Sequence, residues 1–547
     1  MESKSKAPAA AAPPLVEKNP DAARWDDVAD VIVVGFGGAG ACAALEAKDQ
    51  GAKVLVLERY QGGGATTLSG GVVYAGGGTN VQKQAGVEDS AAAMFEYLKL
   101  ETKGVVSEET LRDFVDSSVT TLDWLQSKGV PFEGSLCPYK TSYPTDDYYL
   151  YYSGNEGFSP FKDAAKPAPR GHRAKGEGLP GASFYEPLRR TAERSGVDVR
   201  YEARVERLIT DEKGRVVGVE YHQIPEGPIA VAVRAMMKTA LALRNYQPSA
   251  SRKIYERIFE IERTKAVVRR ARATKGVILS AGGFIFNRDM VEQYAPKYRK
   301  GMPLGSIADS GSGIRLGESV GGATDLMSRV SAWRFINPPE AWTRGVVVNK
   351  KGERYVNEML YGAAIGEAMV EHNEGHAYII LDDEMKKEAR EQCKPGRAQW
   401  FQRAPALLNL WFNRKEGRTI EELAAKSRIP ADQLRKTVDE YNRIVDSGND
   451  PMGKPKSQLH KIAKPPFHAI DAGIASKRFP CPTLTLGGLV VDEKTGNVKR
   501  ADGSRVEGLY AAGRTAVGVC SRQYVSGLSI ADCVYSGRRA GRVAAKS

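Results

Sequence analysis

The sequence predicts an α/β protein: a parallel-sheet domain interrupted by a smaller α+β cap. Three observations predict it. A strand, glycine turn, helix, strand and acid follow one another over residues 30–58. Glycine turns and small residues return after about residue 470. Between them, from about 305 to 465, lies a block of different texture. A chain of 547 residues exceeds one core, so two domains are expected.

The first unit is the most informative. The β-branched run Val31–Val34 ends in Gly35-Phe36-Gly37-Gly38-Ala39-Gly40, an alanine-rich amphipathic stretch follows, and a second apolar run, Val54–Leu57, closes on Glu58. This is the order of a Rossmann-like dinucleotide-binding unit. Gly35 allows the tight turn, Gly37 lets the backbone approach a pyrophosphate, and Gly40 lets helix and strand pack closely. The helix N-terminus offers free N–H groups to that pyrophosphate. Glu58, eighteen residues after Gly40, can accept both ribose hydroxyls and would repel a 2′-phosphate. A second small-residue loop, Gly62 to Gly71, follows the acid, and Gly508-Leu509-Tyr510-Ala511-Ala512-Gly513-Arg514 reads as a distant strand entering another glycine turn. A nicotinamide enzyme needs no such return. A flavin lying beyond the pyrophosphate does, so FAD is the expected cofactor.

Composition narrows the remaining classes. A hydrophobic fraction of 42% suits a globular protein, and no run of eighteen uncharged apolar residues exists to span a membrane. The first 25 residues, rich in Lys, Ala and Pro, read as a disordered lead without a secretory core. Six cysteines without CxxC spacing predict reduced thiols and a cytoplasmic setting. No metal site is expected from the six histidines.

The net charge of +13 is local. Residues 228–275 hold twelve Lys or Arg against three Glu, about nine of the surplus charges in under a tenth of the chain. Strand-like runs flank this stretch, at Val216–Tyr221 and Lys275–Phe284. The link carries two helical patterns. One sets Ile229, Val233, Met236, Met237, Ala240 and Leu243 beside Arg234, Lys238 and Arg244; the other sets Ile254, Ile258 and Ile261 among Arg252, Lys253, Arg257, Arg263 and Lys265. Basic amphipathic helices fit an anionic membrane surface, here the inner face of a cytoplasmic membrane. A hairpin packed on its own domain, or a dimer contact, fits them as well. Nucleic acid is not expected, since no aromatic or helix-turn-helix pattern accompanies the charge.

The expected organisation is a lead (1–25), a first part of the nucleotide domain (26–300, with an insertion at 224–275), a cap (301–468) and a second part (469–547). Within the cap, Gly345–Asn349 reads as a strand and 363–373, 383–392 and 420–446 as helices. Substrate chemistry is expected where the cap closes over the flavin.

With these motifs in order, the chain resembles the fumarate reductase and succinate dehydrogenase flavoprotein group. The resemblance rests on the GxGxxG with Glu58, the Gly63 to Gly71 loop, Ser280-Ala281-Gly282-Gly283-Phe284, Gly352-Glu353-Arg354-Tyr355-Val356-Asn357-Glu358, Thr485-Leu486-Gly487-Gly488-Leu489 and Leu509 to Gly513. It implies a Rossmann-like FAD domain with a smaller inserted cap. It also implies FAD contacts at Gly35, Gly37, Gly38, Ala39, Gly40, Glu58, Arg59, Gly63, Ala65, Thr66, Thr67, Ser69, Gly70, Gly71, Val205, Ala281, Gly282, Asp309, Gly513, Arg514, Ser529 and Ile530. Covalent flavins in that group use a distinctive histidine or threonine site. No histidine lies near Gly63 to Gly71, so the flavin is expected to be non-covalent.

Substrate class turns on Gly518-Val519-Cys520-Ser521-Arg522-Gln523-Tyr524-Val525-Ser526-Gly527. A dicarboxylate reductase carries a His and paired Arg here, and this chain lacks them. The branch it looks like is the FAD-dependent 3-ketosteroid dehydrogenases. Its Tyr-Val-Ser-Gly is closer to the Δ4-(5α) type than to the Tyr-Pro-Gly-x-Gly-Gly of the Δ1 type. The implied partners are a 3-ketosteroid and an external electron acceptor of quinone type.

Desaturation beside a ketone removes an α proton and a β hydride, and the carbonyl oxygen must be stabilised as it gains charge. Tyr524 and a backbone N–H at Gly527 are the expected donors. Ser526 is the expected base at C4, relayed through Tyr361 of the cap, because an isolated serine is a poor base. Hydride transfer is the cofactor's share.

Overall fold

Parallel strand pairing follows from the apolar runs already named. The computed structural model describes residues 12–243 and 247–547. Asp27–Val34 pairs in parallel with Val54–Leu57, which pairs with Asp198–Arg200. On its other side Asp27–Val34 meets the long strand Val267–Leu279. That strand has two lives. Its first half pairs antiparallel with Val216–Gln223, and its second half, past a register shift at Ala273–Gly276, pairs in parallel with both Asp27–Val34 and Arg505–Ala511. The C-terminal segment therefore re-enters the sheet that the N-terminal segment began.

Helix Gly38–Asp49 departs from expectation. Its alanines are buried from Ala39 through Ala47, so it is covered all round and not amphipathic. The cover is the C-terminal helix, Leu528–Ala544. Its glycines permit backbone contact: a Cβ at Gly537 would lie 2.4 Å from the Ala39 carbonyl oxygen, and one at Gly541 2.3 Å from that of Ala43.

The lead also departs from expectation over its described part. Leu15–Val16 forms an edge strand parallel to Ala203–Thr210, and the Trp25 indole donates to the Pro20 carbonyl. Residues 1–11 of that lead lie outside the described residues.

The cap is built on an antiparallel sheet of Val346–Val348, Tyr378–Leu381, Phe467–Asp471 and Arg414–Gly417. A boundary at 468 would cut the strand Phe467–Asp471. At its other end, helix Ser312–Ser319, beyond the expected boundary at 300, packs against strands Ala203–Thr210 and Val267–Leu279 of the nucleotide domain. The helix expected over 420–446 is two, Ile420–Ser427 and Ala431–Ser447. Arg428 takes a left-handed conformation and Pro430 removes a donor, which together end the first helix.

Residues 228–275 form the two expected helices, Pro228–Leu243 and Pro248–Lys265. Their apolar faces meet each other rather than solvent. Ala230, Val233, Ala240, Tyr255 and Ile258 are buried in a small core of their own, with Met236, Met237, Ile254 and Ile261 packed on it. Ile229, Val231 and Leu241 stay exposed.

Candidate functional site

One cavity of about 1540 Å³ runs between the nucleotide domain and the cap. Its first wall is the glycine turn. Gly35 has φ +94°, and a Cβ on Gly40 would lie 2.0 Å from the Gly35 carbonyl oxygen, so Gly40 serves packing and does not line the space. Gly37 has nothing nearer to a Cβ than the Gly63 carbonyl at 3.8 Å, which leaves its face to a ligand.

Glu58 lines the cavity with both carboxylate oxygens engaged. They accept from the Phe36 and Tyr60 amides, each at 2.7 Å. Burial raises its pKa and those two amides oppose the rise. Arg59 is held by Glu262 of the helical insertion at 2.9 and 2.7 Å, and its guanidinium lies over the Tyr60 and Phe259 rings. The insertion thereby roofs this end of the cavity, where Arg234, Met237, Lys238 and Leu241 join the lining.

Gly38, Ala39, Ala65, Thr66, Thr67, Ser69, Gly70, Val205, Ala281, Gly282, Asp309, Arg514, Ser529 and Ile530 also line the space. Gly63, Gly71 and Gly513 do not; they turn the chain behind the wall, each with positive φ. Asp309 accepts from the Gly283 amide at 3.1 Å and from Arg514 at 2.7 Å. Burial works against the Arg514 charge, and Asp309 more than offsets it, so its pKa stays above the ordinary range.

These residues fit FAD. Arg514 Nη1 and Thr67 Oγ1 are buried in the wall without a protein partner. Unpaired buried donors of this kind are rare and await an acceptor. The first turn of helix Leu528–Ala544, with Gly527 as N-cap, faces the same space with its positive dipole end. None of the described histidines lines the cavity.

At the other end the expected catalytic groups meet. The Tyr524 and Tyr361 rings stack at 6.3 Å. Ser526 Oγ lies 3.1 Å from the Tyr151 hydroxyl, and Ser153 donates to the Ser526 carbonyl at 3.1 Å. Burial raises the pKa of Tyr361 well above the ordinary phenol, the neighbouring Tyr524 and Tyr151 add to it, and a hydrogen bond with Ser526 pulls the other way. Tyr524 is raised chiefly by burial as well, so both phenols are neutral donors. Gly527, with φ +89°, passes under the strand Val72–Tyr74; its carbonyl accepts from the Tyr74 amide at 3.0 Å.

Tyr361 reaches this point because its backbone N–H donates to Asn155 Oδ1 at 2.7 Å, tying cap to nucleotide domain. Asn155 in turn donates to Glu101 at 2.8 Å. Trp333 and Phe335 complete an aromatic wall, with Trp333 4.7 Å from the Tyr524 ring and Phe335 5.4 Å from that of Tyr361. Sequence reasoning left these two out, although Ala332-Trp333-Arg334-Phe335 alternates as a strand does. His172 and Arg170 lie behind the wall. Arg170 pairs with Asp89 at 2.7 Å, and His172 bonds Thr79 at 2.8 Å.

Comparison with known proteins follows the same lines. Residues 30–529 match the family model described as FAD binding domain. The chain is 40% identical over 505 residues to the 3-oxo-5-alpha-steroid 4-dehydrogenase of Comamonas testosteroni, covering 90% of this chain and 94% of that one. A 3-ketosteroid-Δ4-(5α)-dehydrogenase from Rhodococcus jostii RHA1, solved in complex with 4-androstene-3,17-dione, superimposes with a TM-score of 0.81 at 32% identity, over 98% of this chain and 100% of that one. A 3-oxosteroid 1-dehydrogenase of Mycobacterium tuberculosis is 27% identical over 562 residues, covering 90% of this chain and 94% of that one.

Proposed function

The chain belongs to the FAD-binding flavoprotein family and, within it, to the 3-ketosteroid Δ4-(5α)-dehydrogenases, and we propose that it desaturates ring A of a 3-keto-5α-steroid to the 4-ene-3-one. The observation that carries this reading is the group of three hydroxyls, Tyr524, Ser526 and Tyr361, in an aromatic end of the FAD cavity.

In this reading Tyr524, neutral because it is buried, donates to the C3 carbonyl oxygen, and the Gly527 turn adds a backbone donor. Ser526 takes the 4β proton while its own passes to the Tyr361 oxygen and Tyr361 releases its phenolic proton to solvent, so that each hydroxyl ends neutral. Trp333 and Phe335 exclude water and present flat apolar faces to the ring system. FAD, when bound, accepts the 5α hydride. Arg514, Thr67 and the glycine turn would hold it without a covalent bond, and acid precipitation should release all of the flavin. An external acceptor, of quinone type in this reading, would reoxidise it.

The test is anaerobic. A 3-keto-5α-steroid should bleach the flavin and yield a 4-ene-3-one. Conversion of a 4-ene-3-one to a 1,4-diene would instead support the Δ1 reading. Bleaching by neither, with turnover of an unsaturated acid by the reduced enzyme, would favour a fumarate-reductase-like activity.

The membrane attachment expected of the 228–275 hairpin is left with a small footing. The hairpin's Met and Ile faces are spent on its own core, and its exposed apolar residues are few. No helix among the described residues is long and apolar enough to cross a membrane.

A further inference from the structure

Cap segment 400–413 is an amphipathic helix worn inside out. It runs as Trp400–Leu408 and continues through a wider turn, Asn409–Asn413. Trp400, Ala404, Leu408, Trp411 and Phe412 form one stripe at helical spacing, and all five are exposed. The four large ones are 60%, 50%, 56% and 60% exposed. Such a cluster on a surface marks an interaction site.

The segment is not loosely attached. Ala406, Asn409 and Leu410 are buried beneath it. Asn413 donates to the Asp471 carbonyl at 2.7 Å, and Gln402 to the Tyr143 carbonyl at 3.3 Å. The apolar stripe is therefore presented by a fixed platform. Its surroundings are basic: residues 394–418 hold Lys394, Arg397, Arg403, Arg414, Lys415 and Arg418 against Glu416 alone. The stripe also borders the cavity, since Trp400 and Leu408 line it together with the exposed Leu179 and Met302.

We propose that this stripe is a docking surface for an anionic lipid bilayer, which seats the cavity mouth in the interfacial layer where an apolar substrate partitions. Two observations select this occupant over a second copy of the chain. Tryptophan and phenylalanine flanked by cations match the headgroup region, where aromatic rings and basic residues concentrate. A two-fold contact would instead oppose this one-sign surface to itself. The use assigned to the docking rests on the proposed steroid chemistry; the docking itself does not.

The experiment uses full-length holoenzyme without substrate. It should co-sediment with vesicles of phosphatidylcholine and phosphatidylglycerol, less with phosphatidylcholine alone, and less in high salt. The double variant Trp411→Ser/Phe412→Ser removes two residues that do not line the cavity. It should lower vesicle affinity by at least about tenfold, the scale of losing one aromatic burial, while turnover of soluble substrate is unchanged. Brominated lipid should quench tryptophan fluorescence of the parent enzyme. Absence of quenching, equal vesicle binding by parent and double variant, or loss of binding through Ile229→Ser/Val231→Ser instead, overturns the proposal. So does a parent dimer that the double variant splits and that ignores vesicles. An enzyme that binds vesicles but does not oxidise steroids would overturn the proposed function and leave the docking standing.

Discussion

Tyr524 and Ser526 stand two residues apart in one turn, yet they carry different work, and single substitutions separate it. Tyr524→Phe deletes a donor to the developing enolate with little change in volume, so turnover should fall by about 10²–10³. Ser526→Ala should abolish proton removal while the steroid still binds and perturbs the flavin spectrum. Near-normal turnover of both variants on every 3-ketosteroid tried would sink the mechanism. The Tyr-Val-Ser-Gly turn was legible because its residues are adjacent in the chain. That Tyr151, 375 positions away, would meet Ser526 was not. Only the pairing of Leu150–Tyr151 with Gly171–Arg173 brings that hydroxyl to Ser526, and no local pattern encodes it. Arg59 lines the cavity where the sequence offers it, but its ion pair with Glu262, 203 positions away, has no local pattern either.

At the scale of elements, the helical insertion is tied to the nucleotide site by Glu262, which pairs with Arg59 at 2.7 Å and Arg204 at 3.8 Å, and by Arg234, which reaches Glu202 at 2.8 Å. Glu262→Ala should release Arg59 and loosen the roof. FAD affinity, measured by titrating apoprotein, should drop by about tenfold, the order of a hydrogen bond to a charged group. Unchanged affinity would mean that the roof is dispensable. Helix existence here was readable from periodicity, and so was most of the cap. What the helices face was not. Periodicity reports that a face is apolar without saying what covers it. The hairpin helices cover each other, Gly38–Asp49 is covered by a helix some five hundred residues later, and the 400–413 stripe is covered by nothing among the described residues. The two-part nucleotide domain was legible because glycine turns recur at both ends; its exact limits were not, because strand pairing decides them.

For the whole molecule, two buried groups should set opposite slopes of stability with pH. Burial lowers His172 to about 4 from an ordinary 6.5. Its stability contribution is complete above 6.5 and is lost as pH falls toward 4, because the unfolded chain takes a proton that the folded one refuses. Burial raises Glu101 to about 7 from an ordinary 4.5. Its contribution is complete below 4.5 and is lost as pH rises toward 7; Tyr97 and Asn155 both donate to its Oε1, which leaves Oε2 for the proton. Between about 4.5 and 6.5 the two cancel. Glu101→Gln mimics the protonated acid and should steepen the acid loss of stability by about 1.4 kcal/mol per pH unit. Denaturant midpoints from pH 7 to 5 that run parallel for variant and parent would refute the assignment.

The cavity has two ends with different keepers. The nucleotide end is roofed by an ion-paired helical hairpin, while exposed Trp400 and Leu408 of the cap line the opposite end. Variation of the 400–408 rim should therefore retune what enters without touching Arg514, Thr67 or the glycine turn.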